Sequence, residues 1–106
     1  MKNKTFNDIK FKNHPNGYGI LGTLVVNDFT VSVIAGPGFY SFPKQDFKSP
    51  DKYEAFEVAV MDQDGKFITQ DFFPDYENDV LGWLSRDDIN HLISKLETQK
   101  AWIPEV

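Results

Sequence analysis

Residues 20–33, Ile20-Leu21-Gly22-Thr23-Leu24-Val25-Val26-Asn27-Asp28-Phe29-Thr30-Val31-Ser32-Val33, decide the fold class. The first seven are apolar and rich in β-branched side chains, which suits a well-buried strand. Asn27-Asp28 offers a tight turn. Phe29 to Val33 then alternates large apolar with small hydroxyl side chains, the cleanest strand pattern in the chain. Two such strands around a short turn begin an antiparallel meander.

Working outward, Thr5 to Phe11 also alternates and reads as a half-buried first strand, ended by His14-Pro15-Asn16-Gly17, where Asn-Gly supplies positive φ angles. Downstream, Ala35-Gly36-Pro37-Gly38 must be irregular, because two glycines flank a proline that fixes its own φ and restricts its neighbour. Phe39 to Phe42 reads as a short edge strand halted by Pro43, and Lys44 to Tyr53 as a loop. Ala55 to Asp62 alternates again. Asp62-Gln63-Asp64-Gly65 is a hairpin connection with Lys66 to Asp71 as the returning strand, and Val80 to Leu84 reads as one short buried helical turn. Ser85 is placed as an N-cap, with Asp87 and Asp88 in the first turn at the positive end of the helix dipole. Ile89, Leu92, Ile93 and Leu96 then fall on one helical stripe, which predicts an amphipathic helix over residues 86 to about 99, with Lys95 and Lys100 at its C-terminal end and a tail that carries Trp102. Strands first and a helix last make an α+β domain. The expectation is one domain over residues 1–106, an antiparallel meandering sheet of five to six strands with the C-terminal helix on one face.

Composition narrows the function. The 106 residues include no cysteine, which removes disulfide frameworks, cysteine-based zinc sites, iron–sulfur clusters and thiol nucleophiles. No apolar stretch approaches the roughly 20 residues of a membrane span, and Met1-Lys2-Asn3-Lys4 is followed by no apolar signal region, so a cytoplasmic location is expected. Net charge is −5, but residues 1–50 carry a balance of +3 and residues 51–106 one of −8. Such asymmetry bears on partners rather than on fold. Arg86 is the only arginine, which disfavours sequence-specific readout of DNA, where the bidentate arginine fork is the commonest contact. The acidic half serves solubility first, since net charges of this size are normal for small soluble domains, and a basic protein partner second.

Catalytic constellations are sparse. His14 stands beside a turn and His91 on the polar side of the expected helix, and no spacing ties either to a nucleophile. Asp62, Asp64 and Gly65 resemble the start of a calcium loop, but the glycine falls at the fourth position and Phe73 stands where the bidentate ligand belongs. The run Asp75, Glu77, Asp79 either converges on a hard cation or, the commoner case, forms the solvated acidic rim of a loop available to a partner. Gly36-Pro37-Gly38 lacks the lysine and glycine pattern of a phosphate loop. No cofactor, metal site or enzymatic activity is expected.

Aromatic residues make up 15% of the chain and gather around the proline-containing loops; packing in the core of a small β-rich domain is their leading reading, and a ligand or partner surface the second. Tyr40, Phe47 and Tyr53 therefore join Asp75, Glu77 and Asp79 as a candidate protein-partner surface. Lysines interleaved with aromatics are also the parts of single-strand nucleic-acid surfaces, which makes Lys10, Lys12, Lys44, Lys48 and Lys52 the alternative set of contacts.

Over Ile9 to about Asp62 the chain resembles the stage V sporulation protein G family. The likeness lies in Asp8-Ile9-Lys10-Phe11, the Asn16-Gly17 turn, Thr23 to Val31, and Gly38-Phe39-Tyr40-Ser41-Phe42-Pro43-Lys44. This resemblance implies a small β-rich dimeric regulator that binds DNA through basic residues near its helical end, where this chain has Asp87, Asp88 and Glu97 beside Arg86, Lys95 and Lys100. In size and Lys, Asn and Phe usage the chain also resembles the small accessory proteins of phages and mobile elements. The leading expectation is a non-enzymatic binding or regulatory module that engages a protein partner, with possible self-pairing through an edge strand. Nucleic-acid binding is the alternative, and a small metal-dependent or hydrolytic enzyme the third.

Overall fold

The computed structural model describes residues 4–73 and 79–98. Its strands run Lys10–Asn13 (β1), Ile20–Val26 (β2), Phe29–Ala35 (β3), Phe56–Met61 (β4) and Leu81–Leu84 (β5), and its α-helices Thr69–Phe72 (α1) and Arg86–Glu97 (α2). Each strand pairs antiparallel with the next, so the order across the sheet is the order along the chain.

Alternation dictates the two faces of this sheet. Ile20, Leu24 and Val26 of β2, Phe29, Val31, Val33 and Ala35 of β3, and Phe56, Val58 and Val60 of β4 all point into one core cluster. Ile89, Leu92, Ile93 and Leu96 of α2 close that cluster from above. Each large apolar side chain withdrawn from water in this way contributes roughly 1.5–3 kcal/mol. The opposite face carries Lys10 and Lys12, Thr23 and Val25, Thr30, Ser32 and Ile34, then Glu57 and Met61, with no described helix lying over it.

The helix sits where the sequence places it. Ser85 Oγ accepts from the Asp88 N–H at 3.1 Å while the Asp88 carboxylate accepts from the Ser85 N–H at 3.0 Å, a reciprocal capping box. The hairpin turn reaches the other end of α2. Asn27, left-handed at φ 54°, donates from Nδ2 to the Leu96 carbonyl at 3.1 Å and so ties the hairpin turn to the C-terminal end of the helix, where the Thr98 N–H donates to the same carbonyl.

Four expected elements differ. Residues 5–8 are not strand: Phe6–Asp8 form a 3-10 turn capped by Thr5 in a second reciprocal box with Asp8, and this turn buries Phe6 and Ile9, so β1 begins only at Lys10. Lys66 to Asp71 does not return as a strand. It makes a single bridge, Phe67 with Met61, before α1 begins, and Thr69 Oγ1 accepts the Val60 N–H at 2.9 Å in place of a ladder carbonyl. The last strand is supplied by Leu81–Leu84, expected as a helical turn. Leu81 pairs with Val58 and Leu84 with Phe56, and Leu81 is buried. Phe39 to Phe42 makes only one bridge, Phe42 with Ala55. No described helix is long and apolar enough to cross a membrane.

Candidate functional site

The connection from β3 to β4 is a frame held from inside. Ser41 is fully buried, and its Oγ both accepts from the Gly36 N–H and donates to the Gly36 carbonyl, each at 3.0 Å. Tyr53, also fully buried, donates from its hydroxyl to the Gln45 carbonyl and accepts from the Phe47 N–H at 2.9 Å. Burial pushes the Tyr53 phenol pKa up. Asp46 accepts from the Gly19 N–H at 2.6 Å and pairs with Lys48 at 2.8 Å. Lys48 first, then the Gly19 N–H, hold the Asp46 carboxyl below its ordinary value. The guanidinium of Arg86 donates to the Pro50 carbonyl at 2.6 Å and lies over the Phe6 and Phe56 rings at 5.2 and 5.4 Å. Among the described residues no buried side-chain nitrogen or oxygen lacks a hydrogen-bond partner. A loop tied down at so many points has little conformational entropy left to lose on binding.

On this frame stand three large side chains in water: Tyr40 is 48% exposed, Phe42 53% and Trp83 57%. Tyr40 and Phe42 flank the buried Ser41 and so share the outward side. Trp83 comes from β5, where the pairing with β4 is irregular between Phe56 and Val58. Its φ is 55°, in the left-handed region that costs a non-glycine residue about 1–2 kcal/mol. The turn aims the Trp83 N–H at the Tyr40 carbonyl, 2.9 Å away, and sets the two rings 5.1 Å apart at 45°. Gly82 permits the approach: a Cβ there would fall 2.9 Å from Tyr40 Cβ. Lys44 Nζ lies 6.0 Å from the Tyr40 centroid and 5.9 Å from that of Trp83, and donates to the Phe39 carbonyl. The Glu57 carboxylate accepts from the Tyr40 N–H at 3.0 Å. A groove of about 400 Å³ runs between β5 and α2, where Leu81, Trp83, Leu84, Leu92 and Phe73 meet Asp88, His91 and Lys95.

The residues singled out by sequence divide clearly. Tyr40 is exposed. Tyr53 is not: its ring is buried beside Phe47 and Phe56, at 5.6 and 6.2 Å between centroids, because its hydroxyl organises the loop from within. Phe47 is half-buried and packs on the core. Asp79 is exposed just before β5, whereas Asp75 and Glu77 lie outside the described residues. The lysines are dispersed. Lys10 and Lys12 stand on β1 at one edge of the sheet and Lys44 over the aromatic pair beside the other; Lys48 is engaged by Asp46 and the Gly17 carbonyl, and Lys52 is exposed in a 3-10 turn. Trp83, read from sequence as part of a buried turn, is the residue that reasoning missed; the preceding Gly82 was the available signal, since glycine in a strand often marks a close approach.

His14 Nδ1 accepts from the Asn16 N–H at 3.1 Å inside its own turn, and His91 is exposed on α2. Among the described residues no group of three or more His, Cys, Asp or Glu side chains could hold a metal ion. The strand edges available to a second copy are short: β1 has four residues with Lys10 and Lys12 exposed, and on β5 the Trp83 N–H is already engaged by Tyr40. Compared with protein-family models, curated proteins and solved structures, the chain has no match.

Proposed function

We propose that this chain is a non-enzymatic recognition module that engages a protein partner through the surface of Tyr40, Phe42 and Trp83. The observation that carries the reading is Trp83: its backbone is left-handed and most of its side chain faces water. Folding gains little from such an arrangement, and costs of this kind concentrate at binding sites. Trp and Tyr are the side chains that dominate protein interfaces, because they offer a large, stiff, amphipathic surface. Here both sit on a frame fixed in advance.

Nucleic acid fits the surface less well. A stacking platform needs open ring faces with lysines along the strand's path. Among the described residues the lysines are instead dispersed, with Lys10 and Lys12 at one sheet edge and Lys44 alone over the Tyr40–Trp83 pair, and the only arginine is engaged by Pro50, Phe6 and Phe56.

The test is affinity capture from a lysate of the encoding organism, with wild type and a Trp83→Ala variant shown by circular dichroism to be folded. A protein retained by wild type and lost from the variant, whose affinity for the purified chain falls at least about tenfold on the substitution, is the expected result. Equal retention by both chains would remove the proposal.

A further inference from the structure

We infer that the Tyr40–Trp83 pair is a receptor for a basic side chain of the partner protein, arginine above lysine, and that Lys44 occupies this receptor in the unbound chain as an internal stand-in. The inference rests on the recognition surface proposed above and names the chemistry it selects.

The chain itself shows what the pair attracts. An ammonium, Lys44 Nζ, already lies about equally far from both ring centroids, at 6.0 and 5.9 Å, and donates a hydrogen bond to the Phe39 carbonyl. Two aromatic faces and a carbonyl oxygen are a cation-binding set, since ring faces carry negative quadrupole density and a carbonyl only accepts. The Glu57 carboxylate, bonded to the Tyr40 N–H at 3.0 Å, adds negative charge close to the same residues. Among the outer-face positions of β1 to β4, Glu57 is the single carboxylate. The net charge of −5 favours approach by a basic protein.

Lys44 is exposed, so its hold is weak, and an incoming cation exchanges with it at little cost. Arginine is the better guest, because a planar guanidinium can lie flat on a ring while its N–H groups reach the carbonyl and the carboxylate. Lys44 then acts as a competitor built into the loop. Removing it should tighten binding of a basic ligand, whereas a Lys44 that itself gripped an anionic ligand would weaken binding on removal.

The experiment uses the full chain with Trp102→Phe, which leaves Trp83 as the only tryptophan, and follows its fluorescence during titration with a capped tetra-arginine peptide. Tetraglutamate and an oligothymidylate serve as comparison probes. Saturable binding of tetra-arginine is expected, tightened about two- to fivefold by Lys44→Ala and weakened at least as much by Tyr40→Ala. Lys10→Ala removes the same charge on β1, far from the pair, and should leave the affinity close to that of the parent. If Lys44→Ala is no tighter than Lys10→Ala, or if only the oligothymidylate binds, the inference is overturned. Partner capture separates the two levels. Loss of capture in Tyr40→Ala or Trp83→Ala together with weaker capture in Lys44→Ala overturns the cation receptor and leaves the recognition surface standing; unchanged capture in all three overturns the surface itself.

Discussion

Tyr40 and Tyr53 belong to the same connection between β3 and β4, and the molecule treats them in opposite ways. Tyr53 is wholly buried, its ring against Phe47 and Phe56 and its hydroxyl shared between Gln45 and Phe47. Tyr40 stands about half exposed beside Trp83, over a glycine that makes room for it. One tyrosine holds the loop together from inside and the other is displayed by it. The lesson is that rigidity and display are supplied by different residues, so each can be removed without the other.

Tyr53→Ala is the largest expected change. Emptying a fully buried aromatic site should lower stability by about 3–5 kcal/mol, read as a fall in the urea midpoint. Tyr40→Ala should cost no more than about 1.5 kcal/mol, the usual worth of one aromatic contact, while abolishing partner capture. Equal destabilisation by the two substitutions would break the comparison. Ser41→Ala comes next. It leaves the Gly36 N–H and carbonyl without the buried hydroxyl that serves both, at about 1–3 kcal/mol, and hydrogen exchange at the Gly36 amide should accelerate.

How much of this was legible depends on where the determining contacts lie. Residues 29–33 announce a strand because burial of one face writes a period of two into the sequence, and residues 89–96 announce a helix by the same logic at longer period. Thr5 to Phe11 imitates the strand pattern, yet the local pair Thr5 and Asp8 caps a 3-10 turn, and that competing signal was readable in the spacing. Leu81 to Leu84 was not readable. A four-residue segment becomes a strand only because Val58 and Phe56 are there to pair with it, and the left-handed Trp83 is set by an irregular register that no propensity encodes. The same holds for the site. Aromatic enrichment flagged the 39–53 region, but exposure of Tyr40 and burial of Tyr53 are decided by Gly82 and the core, which are remote in sequence, and by the burial of Ser41 against Gly36, which its own neighbours do not announce.

Trp83→Gly sharpens the comparison from the other side. Glycine relieves the left-handed backbone, while the ring contact with Tyr40 is lost. These terms are of similar size, about 1 kcal/mol each, so stability should change by less than about 1 kcal/mol. Partner capture should nevertheless disappear. A loss of several kcal/mol in urea unfolding would show that Trp83 serves the fold, and would move it into the same class as Tyr53.

The smallest effect concerns pH and the loop's outer fastening. Asp46 is held below its ordinary pKa of 3.8, first by Lys48 and then by the Gly19 N–H. A depressed carboxyl favours the folded state while it is ionised. Its contribution is therefore present above pH 3.8 and is lost as pH falls from there through the folded value. Asp46→Asn should flatten this acid limb slightly and leave stability near neutral pH a little lower, because the pair with Lys48 is open to solvent and screened. Partner capture at neutral pH should hold, since Ser41 and Tyr53 still fix the frame beneath Tyr40. Capture lost together with the Asp46 carboxylate would mean that the display depends on the loop's outer ties as well as on its buried ones.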